Sequence, residues 1–515
     1  MARNSQIIIA KNIRLDKEYK EVLNYTEQEM LSLIDTNKVA TATQYSFIRD
    51  KGTISTSFTY NQALQCNYMA FQNSDYNNKW FFAWIDDVRY VNDGTTEISY
   101  TIDSWSTWFS KVVVGSSFVI REHVNEDTIG LHTLPENVET GEYIRGTSMQ
   151  VTDTTALDCH IVIGSTYNPY TNTDVTGGIY SNVYSGIRYY LMKDNQSATN
   201  FINGCSADGK ADSINCLFYA PDWLTKYNDI TFGDDGYFDV MATTNTYYTY
   251  DKAINIPSTI DGYSPKNNKL FVFPYRYGML TNNIGGNAIY KYELMPNNPR
   301  ITTQAVLCPS CNIKHYMAGY KEGASNLDNG LTGFKYPVCN WATDVFTNWL
   351  TQNGVNIALD AVGGIVSLGA GIMSGNVGAA FGGTMSIANT VASVYQHRFA
   401  SDTIQGNVNS GDSTFATLMY YPYFSHMSIK NEYAKVIDEY FSRYGYKINQ
   451  TKVPNITGRR YWNYIQIADS ETLGYGEIPQ RFMDELNTIA RNGTTIWHSH
   501  DNIGNYTLDN AIVNQ

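Results

Sequence analysis

One long stretch of the chain carries no formal charge, and it limits what the rest of the chain can fold into. Residues 361–396 include no Asp, Glu, Lys or Arg over 36 positions, although the 515-residue chain as a whole is polar and acidic. Eight glycines in the stretch allow backbones to pack closely and weaken a helix in water. Other protein or lipid must therefore cover this stretch.

The turn-prone triplet Ser374-Gly375-Asn376 divides an apolar segment into two arms, residues 355–373 and 377–396. As helices, the arms would each be about 28–30 Å long at roughly 1.5 Å per residue. That length matches a bilayer hydrocarbon core of about 30 Å, so we predict a membrane-active hairpin. Its apolar side chains are Val355, Ile357, Val362, Ile365, Val366, Leu368, Ile372, Met373, Val377, Phe381, Met385, Ile387 and Val391.

Two other interpretations of the apolar segment stay open. A Gly/Ala-rich helical hairpin can be buried in an ordinary protein core, and a permanent membrane anchor is also apolar. Asp360 lies inside the first arm and is costly at membrane depth. Long polar sequence flanks the segment on both sides, which disfavours a permanent anchor.

The composition favours strands over helices. The chain has 41 tyrosines and nine tryptophans, with many β-branched residues and turn dipeptides. Residues 54–60 and 97–103 alternate apolar and polar side chains, as half-buried strands do. We predict a mainly β fold with a few helices and a long apolar loop insertion. The predicted parts are an N-terminal β domain (1–150), a second β-rich domain (151–340), the apolar loop (341–410) and an α+β part packing on the first domain (411–515).

Two helices are predicted near the C-terminus. The first has Ser428 as its N-cap and Gly445 as its stop. The second begins after Pro479, turns Phe482, Leu486 and Ile489 inward, and ends at Gly493. The apolar stripe of the first helix comprises Ile429, Tyr433, Val436, Ile437, Tyr440, Phe441 and Tyr444.

Charge and cysteine content exclude several kinds of site. A formal net charge of −13 argues against a nucleic-acid-binding surface, because affinity for phosphates comes from clustered Lys and Arg. Seven scattered cysteines favour reduced thiols, and without a signal peptide we expect synthesis in a cytoplasm. Cys308 and Cys311, with His315 nearby, have no second ligand pair at metal-site spacing except a distant Cys339. We expect neither a metal nor a cofactor.

No catalytic signature is present in the sequence. Arg121, Glu122, His123 and Asp127 form a polar cluster that suits either an acid/base site or a buried ion-pair network. We interpret it as a structural junction after a strand, in which Arg121→Ala would leave a carboxylate unpaired. The His498-Ser499-His500 run suits a metal site or an exposed terminal loop.

Two blocks of sequence together resemble the tail-knob, or distal tube, proteins of small short-tailed phages that infect Gram-positive bacteria. The first block comprises Trp105, the run FVIREH at 118–123, Asp127, Gly130, Pro135, Glu136 and the run GEY at 141–143. The second comprises Tyr440, the run YGY at 444–446, Asn449, Lys452, Pro454, Arg460, Trp462, Asn463, Tyr464, Ile465, Ile478, Pro479, Ile489 and the run 493–498, which includes Trp497.

This resemblance implies a non-enzymatic virion protein at the distal tail tip. In such proteins six copies form a β-barrel-like tube that lets DNA pass without sequence-specific binding. Long apolar loops plug the lumen and then penetrate the host membrane during ejection. The resemblance also implies contact with the upper tail or collar proteins. The alternative from another class is a receptor-binding or cell-wall-degrading tail-tip protein, which would present two carboxylates about 5–9 Å apart in a cleft.

Overall fold

The structure is a computed structural model that describes most of the chain. The described residues are 5–48, 52–74, 77–151, 159–180, 183–221, 229–240, 248–281, 286–305, 312–321, 331–335, 338–340, 422–468 and 472–513. The chain divides into two compact units. Unit 1 comprises Met1–Gly141, Gly262–Phe271 and Asn431–Gln515, and unit 2 comprises Glu142–Asp261 and Val272–Lys430. The four-part division from the sequence stays a prediction.

A seven-stranded antiparallel sheet forms much of unit 1. Its two edge strands, Lys38–Ala42 and Tyr45–Ile48, follow one another in the chain and are separated by only two residues. Three residue steps span at most about 11 Å, so the two edges must lie close together. The sheet is therefore curled into a nearly closed, barrel-like form. Its strands, in spatial order, are Lys38–Ala42, Ile7–Ala10, Tyr68–Asn73, Lys79–Asn92, Thr95–Ile102, Thr53–Thr56 and Tyr45–Ile48.

A five-stranded sheet in unit 1 joins sequence from both ends of the chain. Glu21–Leu23 pairs in parallel with Thr494–Trp497, and the other pairs are antiparallel. The spatial order is Glu21–Leu23, Thr494–Trp497, Trp462–Ile467, Ser117–Glu122 and Tyr446–Lys452. Unit 1 also contains the pair Val113–Val114 with Gly474–Tyr475, the α-helices Glu27–Thr36, Tyr60–Leu64, Ser104–Trp108, Asn431–Tyr444 and Gln480–Asn492, and 3-10 turns at Phe109–Lys111, Asn268–Phe271 and His500–Asn502.

The core of unit 1 lies where the two larger sheets and the helices meet. Alternate side chains of the strands point inward, including Ile7, Ile9, Met69 and Phe71, none of which is more than 1% exposed. The Phe71 ring stacks on Phe81 at 5.5 Å between ring centroids. The same core includes Ile465 and Ile467 of the strand that pairs with Ser117–Glu122.

Both predicted C-terminal helices exist, with corrections to the first. It runs from Asn431 to Tyr444, so Ser428 is not its N-cap. Ile429 instead ends the strand Tyr423–Ile429, where it lies opposite Tyr143. Val436 is 66% exposed and was wrongly placed on the buried stripe, whose inward positions are Ala434, Ile437, Asp438 and Phe441.

The two helices end at the predicted glycines, and the second begins after the predicted proline. Gly445 follows the first helix at φ +65°, and its backbone N–H donates to the Phe441 carbonyl at 2.9 Å. The second helix, Gln480–Asn492, begins after Pro479 and is followed by Gly493 at φ +85°. Glycine adopts the positive φ at these positions readily, whereas residues with a side chain adopt it only at a cost in free energy.

Unit 2 is also mainly β. It contains one α-helix in its described part, Asn195–Ala207, and 3-10 turns at Ala211–Ser213 and Tyr292–Leu294. Its first four-stranded sheet is Tyr143–Gln150, Tyr423–Ile429, Arg276–Thr281 and Asn287–Tyr290. Its second is Tyr248–Ala253, Arg300–Ala305, Asn312–Met317 and Leu331–Lys335. A five-stranded sheet has the order Tyr237–Asp239, Arg188–Met192, Cys159–Ser165, Ile214–Pro221 and Val338–Asn340. Unit 2 also has two short strand pairs, Tyr167–Asn168 with Thr173–Asp174 and Gly178–Tyr180 with Val183–Ser185.

The predicted mainly β, barrel-like fold class is confirmed.

Candidate functional site

The predicted membrane-active residues, from Val355 to Val391, lie outside the described residues. Within the described part of the chain, none of the helices combines the length and the apolar character needed to span a lipid bilayer. The predicted polar cluster does lie in described sequence, in unit 1. We call it the junction cluster and define it as Arg121, Glu122, His123, Asp127, Glu136, Lys269 and Asp438.

The strand Ser117–Glu122 positions the first part of the junction cluster. Its pairing with both neighbouring strands shifts register between Val119 and Arg121, which marks a bulge. Arg121 is 8% exposed and Glu122 is 0% exposed. Consecutive strand residues point to opposite faces, so the two side chains have different partners although both are buried.

Glu136 is the carboxylate that pairs with Arg121, and it serves a second cation as well. Its side chain is 0% exposed and forms ion pairs with Arg121 Nη2 and Lys269 Nζ. The backbone N–H of Lys447 donates to it at 2.8 Å. Burial lowers the pKa of Lys269, and the Glu136 carboxylate opposes that shift. One buried carboxylate thus pairs with two buried cations from distant parts of the sequence.

Glu122 holds the segment after the Tyr446–Lys452 strand, and the His123 ring links the Trp462–Ile467 strand to the helix Asn431–Tyr444. Glu122 pairs with Lys452 Nζ and accepts the Asn455 backbone N–H at 2.7 Å. His123 Nδ1 accepts the Tyr464 N–H at 2.8 Å, and Nε2 lies 3.1 Å from the Ser442 carbonyl. These partners specify a neutral ring protonated on Nε2. Burial, with a smaller contribution from Arg459, lowers the pKa of His123 to about 3.

Asp127 and Asp438 together fasten the Gly262–Phe271 segment. Asp127 accepts the Asn268 backbone N–H at 3.0 Å and the Tyr446 hydroxyl at 2.8 Å. Asp438 is 2% exposed and accepts hydrogen bonds from the Lys266 N–H at 2.8 Å and from the Tyr263 hydroxyl, the Asn267 N–H and the Asn267 side-chain amide. Each carboxylate is therefore already hydrogen-bonded, which is an arrangement suited to holding chain segments together.

The other predicted family-motif residues also have structural contacts in unit 1. Gly130 has φ +88° in a turn in which the Leu131 N–H donates to the Thr128 carbonyl at 3.1 Å. The Trp462 and Trp497 ring centroids are 5.0 Å apart. Asn463 is fully buried, and its Oδ1 lies 3.0 Å from His498 Nε2. These residues pack and orient the five-stranded sheet.

Sequence reasoning gave no role to three members of the junction cluster. Glu136 was recognised only as part of a motif, while Lys269 and Asp438 were not singled out. Asp438 did leave a signal, because it lies one position after Ile437 on the buried face of a helix. A carboxylate on a buried stripe indicates a satisfied hydrogen-bond network.

Several histidines and cysteines are of the residue types that bind metals, although the sequence predicts no metal site. Cys308 and Cys311 lie outside the described residues, while His315 is buried with Nδ1 2.9 Å from the Thr303 hydroxyl. His500 Nε2 accepts the Arg14 N–H at 3.1 Å. Among the described residues, no group of three or more His, Cys, Asp or Glu side chains is arranged to hold a metal ion.

Acidification is expected to destabilise unit 1 through His123. Its folded pKa of about 3 lies below its ordinary value of 6.5, so the unfolded chain binds a proton first as the pH falls. The stabilising contribution is complete above pH 6.5 and declines by about 1.4 kcal/mol per pH unit down to pH 3. Denaturant unfolding of His123→Gln between pH 6 and 4 should show a smaller slope of free energy against pH. His132→Gln is the control, because His132 lies in a loop and is only half-buried. An unchanged slope in His123→Gln would contradict the assignment.

Two protein families match this chain. The family model described as Bacillus phage phi29, tail knob protein gp9, C-terminal domain, matches residues 237–511, more than half of the chain. The chain belongs to the tail knob proteins of short-tailed phages. The family model of the caudoviral major tail protein N-terminus matches residues 3–113 of this tail knob protein. The family prediction from the two sequence blocks is therefore confirmed.

This chain is similar in sequence to curated relatives and in fold to a solved structure. The chain is 24% identical to tail knob protein gp9 of Bacillus phage PZA and 22% identical to that of Bacillus phage phi29, in each case over 92% of both chains. Its fold resembles the structure of the bacteriophage C1 tail knob protein, gp12, with a TM-score of 0.65 and 15% identity. That match covers 99% of this chain and 100% of the other. The chain is thus a component of a phage tail.

Proposed function

We propose that this tail knob protein forms the distal tube of the tail and delivers its apolar segment to the host membrane. The observation that carries the proposal is the run of 36 uncharged residues at 361–396 within a tail protein. In a virion, such a segment stays covered inside a ring of copies until DNA leaves. It then inserts into lipid, where its two arms match the hydrocarbon thickness.

The acidic charge supports a passive DNA channel. Six copies would carry a formal charge of 6 × −13 = −78. An acidic lumen repels phosphates and denies DNA the lysine and arginine contacts that would hold it. DNA then slides through without sequence-specific binding.

The junction cluster supports a structural rather than an enzymatic role. Its buried carboxylates are already engaged, Glu136 by two cations and Glu122 by Lys452. A hydrolase of the glycosidase type needs carboxylates that face a substrate cleft. We propose a homo-hexamer held by non-covalent packing, assembled in the host cytoplasm, attached to the upper tail or collar proteins and located at the distal tip.

Deleting the apolar segment tests the membrane role. A variant that joins Asn353 directly to Gly406 is expected to remain a soluble hexamer by native mass measurement, because polar sequence flanks the excised loop. The intact protein, once triggered, should release dye from liposomes, and the deletion variant should not. A deletion that unfolds the whole protein would assign the segment to the core.

Two point variants give a milder form of the same test. Arg at both Gly371 and Gly383 should suppress dye release while sparing assembly, since each charge near the bilayer centre costs on the order of 2.5–3.5 kcal/mol on insertion scales. Ala at both positions is the matched control and should retain release. Equal leakage from the Arg and Ala variants would contradict insertion of this segment.

A further inference from the structure

The first four-stranded sheet of unit 2 has one face on the core and one face toward solvent. Leu280, Phe424 and Tyr290 point into the core, and all are fully buried. On the other side, register places Tyr277 opposite Met427 and Met427 opposite Arg145. Met279 lies opposite Ile289, which is 45% exposed. We call the surface made by Arg145, Tyr277, Met279, Ile289 and Met427 the open face.

The open face has the composition of a protein interface. Tyrosine, methionine and arginine are enriched at the centres of such interfaces, whereas acidic residues are depleted there. Arg145 is exposed; its side chain donates to the Ser148 hydroxyl at 2.6 Å and lies 5.8 Å from the Tyr423 ring centroid, and both of these groups are uncharged. The open face therefore presents a cation beside apolar side chains, and it suits an apolar partner that carries negative charge.

The hairpin formed by Lys79–Asn92 and Thr95–Ile102 in unit 1 has the complementary character. Its outer end is exposed, with Tyr90 at 54% and Val91 at 49%. Asp93 is exposed in the turn at this end, whereas Asp87 is exposed on the Lys79–Asn92 strand six positions earlier, roughly 20 Å away along the strand. The other charges there are offset, because Arg89 Nη1 lies 3.9 Å from Glu97 and Asp86 pairs with Lys17. The hairpin end thus combines the exposed Tyr90 and Val91 with the acidic Asp93.

We propose that the hairpin end of one copy docks on the open face of a second copy, with Asp93 beside Arg145. Arg145 and Ile289 on the open face are exposed in a single chain, as are Tyr90, Val91 and Asp93 on the hairpin end, while Tyr277, Met279 and Met427 are half-buried. Each copy therefore offers one surface of each kind. A contact between two different surfaces is heterologous, and its repetition closes a ring when the rotation between copies allows it. The inference rests on the proposed assembly into a tube, and it names the surfaces that join neighbouring copies.

A charge exchange in the full-length protein tests this contact. Arg145→Glu and Asp93→Lys should each raise the concentration needed for assembly at least tenfold, as measured by light scattering after size-exclusion chromatography. Mixing the two variant proteins should restore assembly. In a ring of alternating variants, every hairpin end meets an open face of opposite charge.

Controls separate this contact from folding defects and from the membrane role. Arg300→Glu and Asp234→Lys change exposed charges elsewhere in unit 2 and should leave assembly unchanged. Circular dichroism should show that all variants fold. Normal assembly of Arg145→Glu, or no recovery on mixing, would overturn the proposal and would assign the open face to another protein. Liposome leakage by the wild-type protein reports on the membrane role separately, so the two can fail independently.

Discussion

Gly445→Ala is expected to lower the free energy of unfolding of unit 1 by about 2–5 kcal/mol. Gly445 has φ +65°, and a left-handed backbone costs a residue with a side chain roughly 1–2 kcal/mol. A Cβ at this position would also lie under 3.0 Å from the Glu122 carbonyl group and the His123 nitrogen. These are backbone atoms of the Ser117–Glu122 strand and of the residue that follows it, so relief requires a backbone shift costing about 1–3 kcal/mol.

The contact between Gly445 and Arg121 of the junction cluster makes this effect informative. The Gly445 carbonyl accepts from Arg121 Nη1 at 2.7 Å, so a backbone shift there also disturbs the Arg121–Glu136 ion pair. Gly504→Ala is a matched control in unit 1, because Gly504 has φ +78° but its Cβ would meet the nearest atoms only at 3.9 Å. Denaturant unfolding should show a loss for Gly445→Ala well above that for Gly504→Ala. Equal losses would mean that the backbone conformation alone, and not the close approach, requires glycine.

Glu136→Gln is expected to destabilise unit 1 by about 3–5 kcal/mol, the range for breaking a buried ion pair by removing one partner. The change removes the negative charge shared by Arg121 and Lys269, while its shape is conserved. Two buried cations then face each other across a neutral amide. Arg121→Ala should cost less than Glu136→Gln, because the carboxylate keeps Lys269 as a partner.

A surface pair provides the comparison for Glu136. Glu142 pairs with Lys430 in unit 2, where its side chain is 68% exposed. Glu142→Gln should change stability by no more than about 1 kcal/mol, as exposed ion pairs do. Adding Lys269→Met to Glu136→Gln should recover part of the loss by removing one unpaired cation. A Glu136→Gln protein as stable as the wild type would show that the cations are hydrated rather than buried.

Local sequence patterns were sufficient for much of the secondary structure. Alternation at 97–103 predicted a strand, and Thr95–Ile102 is one. Apolar residues spaced three and four positions apart predicted the helix that ends before Gly445. These patterns work because strand and helix each place side chains on one face with a fixed period. The pattern wrongly placed Ile429 on the apolar stripe of the helix. Ile429 instead lies in a strand of unit 2, where it pairs with Tyr143.

The sequence by itself determined the uncharged apolar segment, the mainly β character and the membership of the tail knob family. These features depend on composition, short periods and motif residues, all of which are local. Only the tertiary structure decided that Glu136 serves both Arg121 and Lys269, or that Asp438 fastens the segment containing Lys266. Such partners are separated by up to 172 positions, and no local pattern selects one distant lysine among many. Burial selects it, because a charge removed from water must find an opposite charge or a hydrogen bond wherever the fold brings one within reach.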